Sequence, residues 1–158
     1  MIYQTGYVYH IKDEYFTKAK DDRLMQNKEG GNYRPTYYAL QDNTNTLLWM
    51  IPMSAKLEKY KAIHDMQVQK YGRCLTIVLG EYGDVPAAFL LQNMFPVTHY
   101  YLDHVHTKNG NPLPVKHSIQ KAIQTNVKRI LQIHSRGRKI VFTDIDRLYA
   151  LMCKELQS

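Results

Sequence analysis

The chain has 158 residues, 44% of them hydrophobic and 22% charged, and its 21 lysines and arginines outnumber 14 acids to give a net charge of +7. That length buries a real core within one domain, 1–158, and the composition excludes wholesale disorder. The basic balance favours a polyanionic partner, nucleic acid above all.

Other broad features narrow the class. No apolar run approaches the ~20 residues that span a bilayer, and no basic-then-apolar leader opens the chain. Cys74 and Cys153 match no metal or redox spacing and read as buried thiols. A cytoplasmic protein with no membrane partner is the expectation. Thirteen tyrosines offer faces on which unpaired bases stack between cations, although tyrosine is equally a strand and core residue.

In chain order, "YQTGYVYHI" (3–11) reads as a strand and "KDEYFTKAKDDRLM" (12–25) as a short helix with Tyr15, Phe16 and Ala19 at helical spacing. "QNKEGGNYRP" (26–35) is polar and reads as a loop. "TYYALQD" and "TLLWMIP" flank "NTN", a hairpin signal. The pattern of 61–72 leaves helix and irregular structure both open. "RCLTIVLG" (73–80) and "VPAAFLLQNMFPVT" (85–98) read as buried strands about an "EYGD" turn, and 99–114 as a strand followed by a loop.

The strongest helix is 115–137, with Ile119, Ile123, Val127, Ile130 and Leu131 in one stripe and Gly137 as its stop. A final helix runs over 143–156, capped by Thr143 or Asp144. Strands first and helices after predict an α+β fold: a compact twisted antiparallel sheet or partly open barrel, with helices packed on one side.

Nucleotide-loop, dinucleotide, GxSxG and HExxH motifs are all absent. In "DHVH" (103–106), His104 and His106 face the same side of a strand, which leaves a metal site open as a reading, with further ligands to come from elsewhere. The segment "LLWMIPMSAKLEKYK" (47–61) poses a sharper question. Pro52 ends the ladder of an apolar strand, and Ser54, Lys56, Lys59 and Lys61 follow at once. One reading is a solvated lysine turn. The other is a phosphate site, since 2′-hydroxyl attack on RNA needs in-line geometry, proton acceptors and donors, and cations for the phosphorane, but in principle no metal.

Several segments together resemble one family, the ToxN/AbiQ/CptN endoribonuclease toxins of type III toxin–antitoxin systems, with the CptN-like branch nearest. They are the tyrosine-rich first strand with "KDEYF", then "RPTYYAL", "WMIPMSAK", "AAFLLQNMFPV", and a long basic helix followed by a C-terminal helix. The resemblance implies a sequence-preferring, metal-independent endoribonuclease without cofactor, on a MazF/Kid-like core. It implies cleavage to 2′,3′-cyclic phosphate and 5′-hydroxyl ends of cellular and phage RNA. It also implies inhibition by a repeat-derived RNA pseudoknot antitoxin, which the enzyme processes, within a closed protein–RNA assembly.

The resemblance puts the catalytic serine at Ser54, the lysine at Lys56 and an active-site tyrosine at Tyr15. Tyr33 and Thr36 are expected to line the pocket with Tyr15, and His64 is a candidate acid. Met53 stands where the family often has a hydroxyl residue and Thr36 where it can have lysine, so Arg34 or Lys28 is expected to supply that charge. Lys59 and Lys61 join the RNA-binding set. Lys116, His117, Lys121, Lys128, Arg129, Arg136, Arg138 and Lys139 crowd 115–139, as a solvated helix face or an antitoxin groove. The alternative from another class is a basic RNA-binding module without catalysis.

Overall fold

The run "LLWMI" is apolar on both faces of its strand, and the structure shows why: helices cover both sides of the sheet it belongs to. The computed structural model describes residues 3–157, without the side chain of Glu29. Strand β1 (Val8–Ile11) leads into helix α1 (Asp13–Ala19), and β2 (Lys28–Glu29) and β3 (Asn32–Tyr33) form a small hairpin. The hairpin of β4 (Thr36–Gln41) and β5 (Leu48–Ser54) follows, then α2 (Leu57–Tyr71). Next come β6 (Ile77–Tyr82), β7 (Val85–Leu90), β8 (Phe95–Val97) and β9 (Leu102–Val105). A second small hairpin, β10 (Thr107–Lys108) with β11 (Asn111–Pro112), precedes α3 (His117–Ser135) and α4 (Ile145–Leu156).

The main sheet is antiparallel, in the order β6-β7-β5-β4-β1-β9, with β8 sharing the β7 edge of β5. Strand alternation sends Tyr37, Ala39, Trp49, Ile51 and Met53 to one face, where Ile123, Val127 and Ile130 of α3 meet them. Tyr9, Ile11, Tyr38, Leu48 and Met50 go to the other, against Tyr15 and Ala19 of α1 and Leu148 and Met152 of α4. The expectation of helices on one side is therefore corrected, because the strands are apolar on both faces and each face needs a cover.

Of the expected twisted sheet or partly open barrel, the open sheet is what forms. Among the described residues no ladder joins β6 to β9, so the sheet is not closed into a barrel. Side chains bridge its two ends instead: the Tyr82 hydroxyl donates to the Leu113 carbonyl at 2.8 Å, and Lys108 Nζ donates to the Gly83 carbonyl at 2.9 Å.

Other departures have local causes. The strand expected over 85–98 is broken by a 3-10 turn at Leu91–Asn93, yet its two halves still pair along β5, Ser54 with Ala88 and Leu48 with Val97. Helix α1 stops at Lys20, which is left-handed at φ 46, because the next turn offers Asp21, Asp22 and Arg23 rather than an apolar side chain. The 26–35 segment contains the β2–β3 hairpin, turned by Gly30 and Gly31 at φ 60 and 85. Helix α2 buries only Tyr60 and leaves Met66 60% exposed, so no apolar stripe marked it. Asp144 caps α4, its carboxylate accepting from the Arg147 amide. Cys74 and Cys153 are unpaired and half-buried rather than fully buried. No helix of the described residues is long and apolar enough to cross a membrane.

Candidate active site

Ser54 is the last residue of β5, and the chain turns there directly into α2. Its hydroxyl oxygen accepts the Lys56 amide at 3.2 Å, which bends the strand end toward the helix. That bond occupies an acceptor position of Ser54 and leaves its own proton to donate elsewhere. Lys56, exposed, is the N-cap of α2, and its own side chain makes no capping hydrogen bond. The helix therefore presents the positive end of its dipole beside Ser54.

Next to this joint lies a cavity of about 380 Å³, a size typical of ligand sites. Asn32, Tyr33, Arg34 and Pro35 line it from the approach to β4, and Met53, Ser54 and Ala55 from the end of β5. Tyr82, Val85, Pro86 and Ala87 come from the β6–β7 hairpin, and His106 and Lys108 from beyond β9. The two ends of the open sheet thus meet across the serine.

Arg34 is buried, and it holds the strand ends in place. Its Nε donates to the Gln26 carbonyl and its Nη1 to the Met53 carbonyl, both at 2.9 Å. Lys28 places Nζ 4.7 Å over the Tyr33 ring, and the Tyr33 hydroxyl donates to Asp13. Hydrogen bonds from Asn27 and then Tyr33 hold the Asp13 carboxyl below its usual range. Burial pushes the Tyr82 phenol up to about 12, so it stays protonated and bonded to Leu113.

The structure separates the remaining predicted residues into three groups. Tyr15 is a core residue with no accessible surface, its hydroxyl donating to the Pro96 carbonyl at 2.9 Å, so its proposed place at the pocket is corrected. Thr36 is buried opposite Pro52 in the ladder and does not line the cavity. Lys59, Lys61 and His64 lie along α2, where Lys61 and His64 both engage Asp65.

None of the α3 cations lines this cavity. Lys116 pairs with Glu81, Arg129 donates to Gln132, and Lys121, Lys128 and Arg136 are exposed. Arg138 lines a second cavity of about 380 Å³ with Arg73, Tyr71 and Phe142, where the C-terminal ends of α2 and α3 approach each other.

Sequence reasoning missed His106, Lys108 and Tyr82 as neighbours of Ser54. The one signal was the "DHVH" alternation, weighed there as a metal site. Among the described residues no group of three or more His, Cys, Asp or Glu is placed to hold a metal ion. The histidines instead meet His10 of β1. Its ring stacks on His104 at 4.4 Å, and its Nε2 lies 2.8 Å from His106 Nδ1.

Burial, then the neighbouring His104 and His106, push His10 from 6.5 down to about 4, against the pull of Asp103. The unfolded chain takes up that proton near pH 6.5, whereas the folded chain refuses it until about pH 4. Stability is therefore untouched above pH 6.5 and falls as the pH drops toward 4. The imidazole is partly open to water, so the loss is on the order of 1 kcal/mol, well below full conversion of the shift. Urea unfolding at pH 7.5 and pH 5 measures it. The drop is smaller in His10→Phe, and an unchanged drop there rules His10 out as the cause.

No family model and no curated protein matches the chain by sequence. A solved structure described as "A processed non-coding RNA regulates a bacterial antiviral system" superposes at a TM-score of 0.64. The match covers 91% of this chain and 95% of that one. The two share a fold. At 11% identity the likeness carries the architecture and not the chemistry of single residues.

Proposed function

We propose that this chain is a metal-independent endoribonuclease toxin of a type III toxin–antitoxin system, of the ToxN/AbiQ/CptN kind. The observation that carries the reading is the joint at Ser54. A strand end, the N-terminus of α2 with Lys56 as its N-cap, and beside them a cavity lined by Arg34, Ser54 and Lys108 come together there. The fold shared with a protein of an RNA-regulated antiviral system supports it independently. The reading includes kinship of the sheet with MazF/Kid toxins and a soluble, cytoplasmic setting.

In this mechanism the 2′-hydroxyl of one nucleotide attacks the adjoining phosphorus, its proton leaves to a base, and the 5′ oxygen departs with a proton gained. The products are a 2′,3′-cyclic phosphate and a 5′-hydroxyl. Ser54 orients the 2′-hydroxyl or a phosphate oxygen rather than forming a covalent intermediate, since its hydroxyl contacts a backbone amide and no side-chain base. Lys56 stabilises the charge-rich phosphorane and delivers the proton to the leaving oxygen. The Tyr33 ring, 41% exposed beside Lys28, provides a stacking face for a base.

Purified protein incubated with cellular RNA in EDTA tests the reading. Cyclic-phosphate ends are expected; binding without cleavage reduces the protein to an RNA-binding module, and loss of cleavage in the chelator points to a metal hydrolase. Tandem short repeats in the DNA upstream are the expected source of a pseudoknot RNA antitoxin that the enzyme processes and binds in a closed assembly.

The cations of α3 belong to that second role. Nineteen residues span roughly 28 Å, enough to follow an RNA backbone. Reversing exposed Lys121 and Lys128 to glutamate weakens antitoxin capture by about 10- to 100-fold and lowers the salt slope by about 1.5. Single-turnover cleavage of a short substrate changes much less, because neither residue lines the Ser54 cavity. Filter binding across salt concentrations beside single-turnover rates measures both, and equal losses contradict the separation.

A further inference from the structure

The three histidines His10, His104 and His106 are not used by the mechanism above, yet one of them lines the reaction cavity. We propose that His106 is a neutral hydrogen-bond donor, through Nε2–H, to a phosphate oxygen of RNA bound at Ser54, and that His10 is the positioning residue that holds it in that tautomer. The inference rests on the endoribonuclease reading for its substrate, but not for its tautomer.

His10 Nε2 and His106 Nδ1 are 2.8 Å apart, so one of them carries the proton between them. His10 Nδ1 is buried and has no hydrogen-bond partner among the described residues. If His106 donated to neutral His10, the His10 proton would sit on that Nδ1, as a buried N–H with no acceptor, which folded proteins rarely tolerate. The other arrangement leaves only a lone pair there. His10 therefore donates from Nε2, His106 accepts at Nδ1, and the single proton of His106 sits on Nε2. That nitrogen has no hydrogen-bond partner among the described residues and is not a buried orphan, and its residue lines the cavity.

The surroundings keep His106 uncharged. Burial, and then His104 and Lys108, lower its proton affinity. Tyr82, whose ring centroid is 5.9 Å away, gives its hydroxyl proton to Leu113, and Asp103 is paired with His104. Protonating His106 would force a proton onto its Nδ1 and reverse the bond to His10.

The ligand class follows from what the cavity offers. Ser54 Oγ already accepts from Lys56 and has its proton to give, Lys108 has ammonium hydrogens beyond the one given to the Gly83 carbonyl, and His106 presents N–H. Three donors around one cavity match a group made of acceptors, and the phosphate diester of RNA is such a group.

Two readouts test this. Long-range ¹H–¹⁵N correlation spectra of the free protein at pH 7.5 show His106 as the Nε2–H tautomer, and His10→Phe turns it into a mixture. An Nδ1–H tautomer or an imidazolium in wild type overturns the proposal. Adding 2′-O-methyl RNA, which lacks the attacking hydroxyl, shifts the His106 Nε2–H signal; RNA that binds without moving that signal overturns it too.

In cleavage assays His106→Ala lowers kcat/KM by about 10- to 100-fold, as for a hydrogen bond to a charged group, and His106→Gln, which keeps an N–H at a similar reach, recovers most of it. Glutamine as inactive as alanine overturns the donor role in favour of proton transfer. Wild type that binds 2′-O-methyl RNA with the expected shift but cleaves no RNA rejects the nuclease reading and leaves the donor intact.

Discussion

Replacing Lys56 with alanine lowers the rate of RNA cleavage by about 10²- to 10³-fold without unfolding the protein. The size follows from the job assigned to it, a cation beside a phosphorane that carries more charge than the ground-state diester. The fold is expected to survive because Lys56 is exposed and the bond that turns the strand end into α2 comes from its main chain. The amide that donates to Ser54 at 3.2 Å persists in an alanine variant.

Ser54→Ala acts in the same range but adds a stability cost of about 1 kcal/mol, since the Lys56 amide loses its acceptor at the start of α2. The double variant is little worse than either single one, as expected of groups that act on one phosphate. Initial rates on a fixed RNA, with thermal melts run alongside, measure both effects. Undiminished cleavage by either variant would remove the joint at Ser54 from the mechanism.

The second large effect belongs to Tyr15 and is one of stability. Tyr15→Ala costs about 3–5 kcal/mol, because the ring is fully buried and leaves a cavity among aromatic neighbours. Its ring centroid is 5.1 Å from Phe95, 5.3 Å from Tyr101 and 5.5 Å from Phe16. Tyr15→Phe costs only about 1 kcal/mol, the net value of the bond from its hydroxyl to Pro96. Burial also raises the phenol well above its ordinary range, so it has no proton to exchange near neutral pH.

Cleavage by folded Tyr15→Phe therefore matches wild type. A loss of 10-fold or more in kcat, with melting unchanged, would return the hydroxyl to the chemistry and contradict its buried position.

Lys56 and Tyr15, which the family resemblance placed with Ser54 at the active site, thus part ways. Lys56 follows Ser54 by two positions, so the local chain keeps it near the serine whatever the rest of the fold does. Tyr15 reaches the site only if α1 faces the cavity. It faces the opposite layer, against β8 and α4. A residue's type and neighbours in sequence say nothing about which face of a sheet its helix will cover.

Local pattern, read from the sequence alone, determined a good part of this protein. The asparagine-rich turn between two strands, the apolar stripe of α3 with Gly137 beyond it and the cap of α4 all depend on residues within a few positions of one another. Their conformational preferences act before any long-range contact forms. The ladder expected to end at Pro52 instead runs on to Ser54, because Pro52 still sits opposite Thr36, and Met53 and Ser54 pair with Phe89 and Ala88 of β7. Helix α2 escaped because it rests on one buried side chain, Tyr60, and so carries no periodic signal.

Only the tertiary structure decided what surrounds Ser54. His106 and Lys108 arrive from beyond β9, at the opposite end of the sheet from β6, and Tyr82 from the β6–β7 hairpin. They meet because an open antiparallel sheet, covered on both faces, brings its two ends together through side-chain bonds at Tyr82 and Lys108. Strand order and sheet curvature come from the summed packing of many distant residues. No spacing along the chain encodes them, which is why the sequence could single out the serine and lysine as candidates and could not place the histidine beside them.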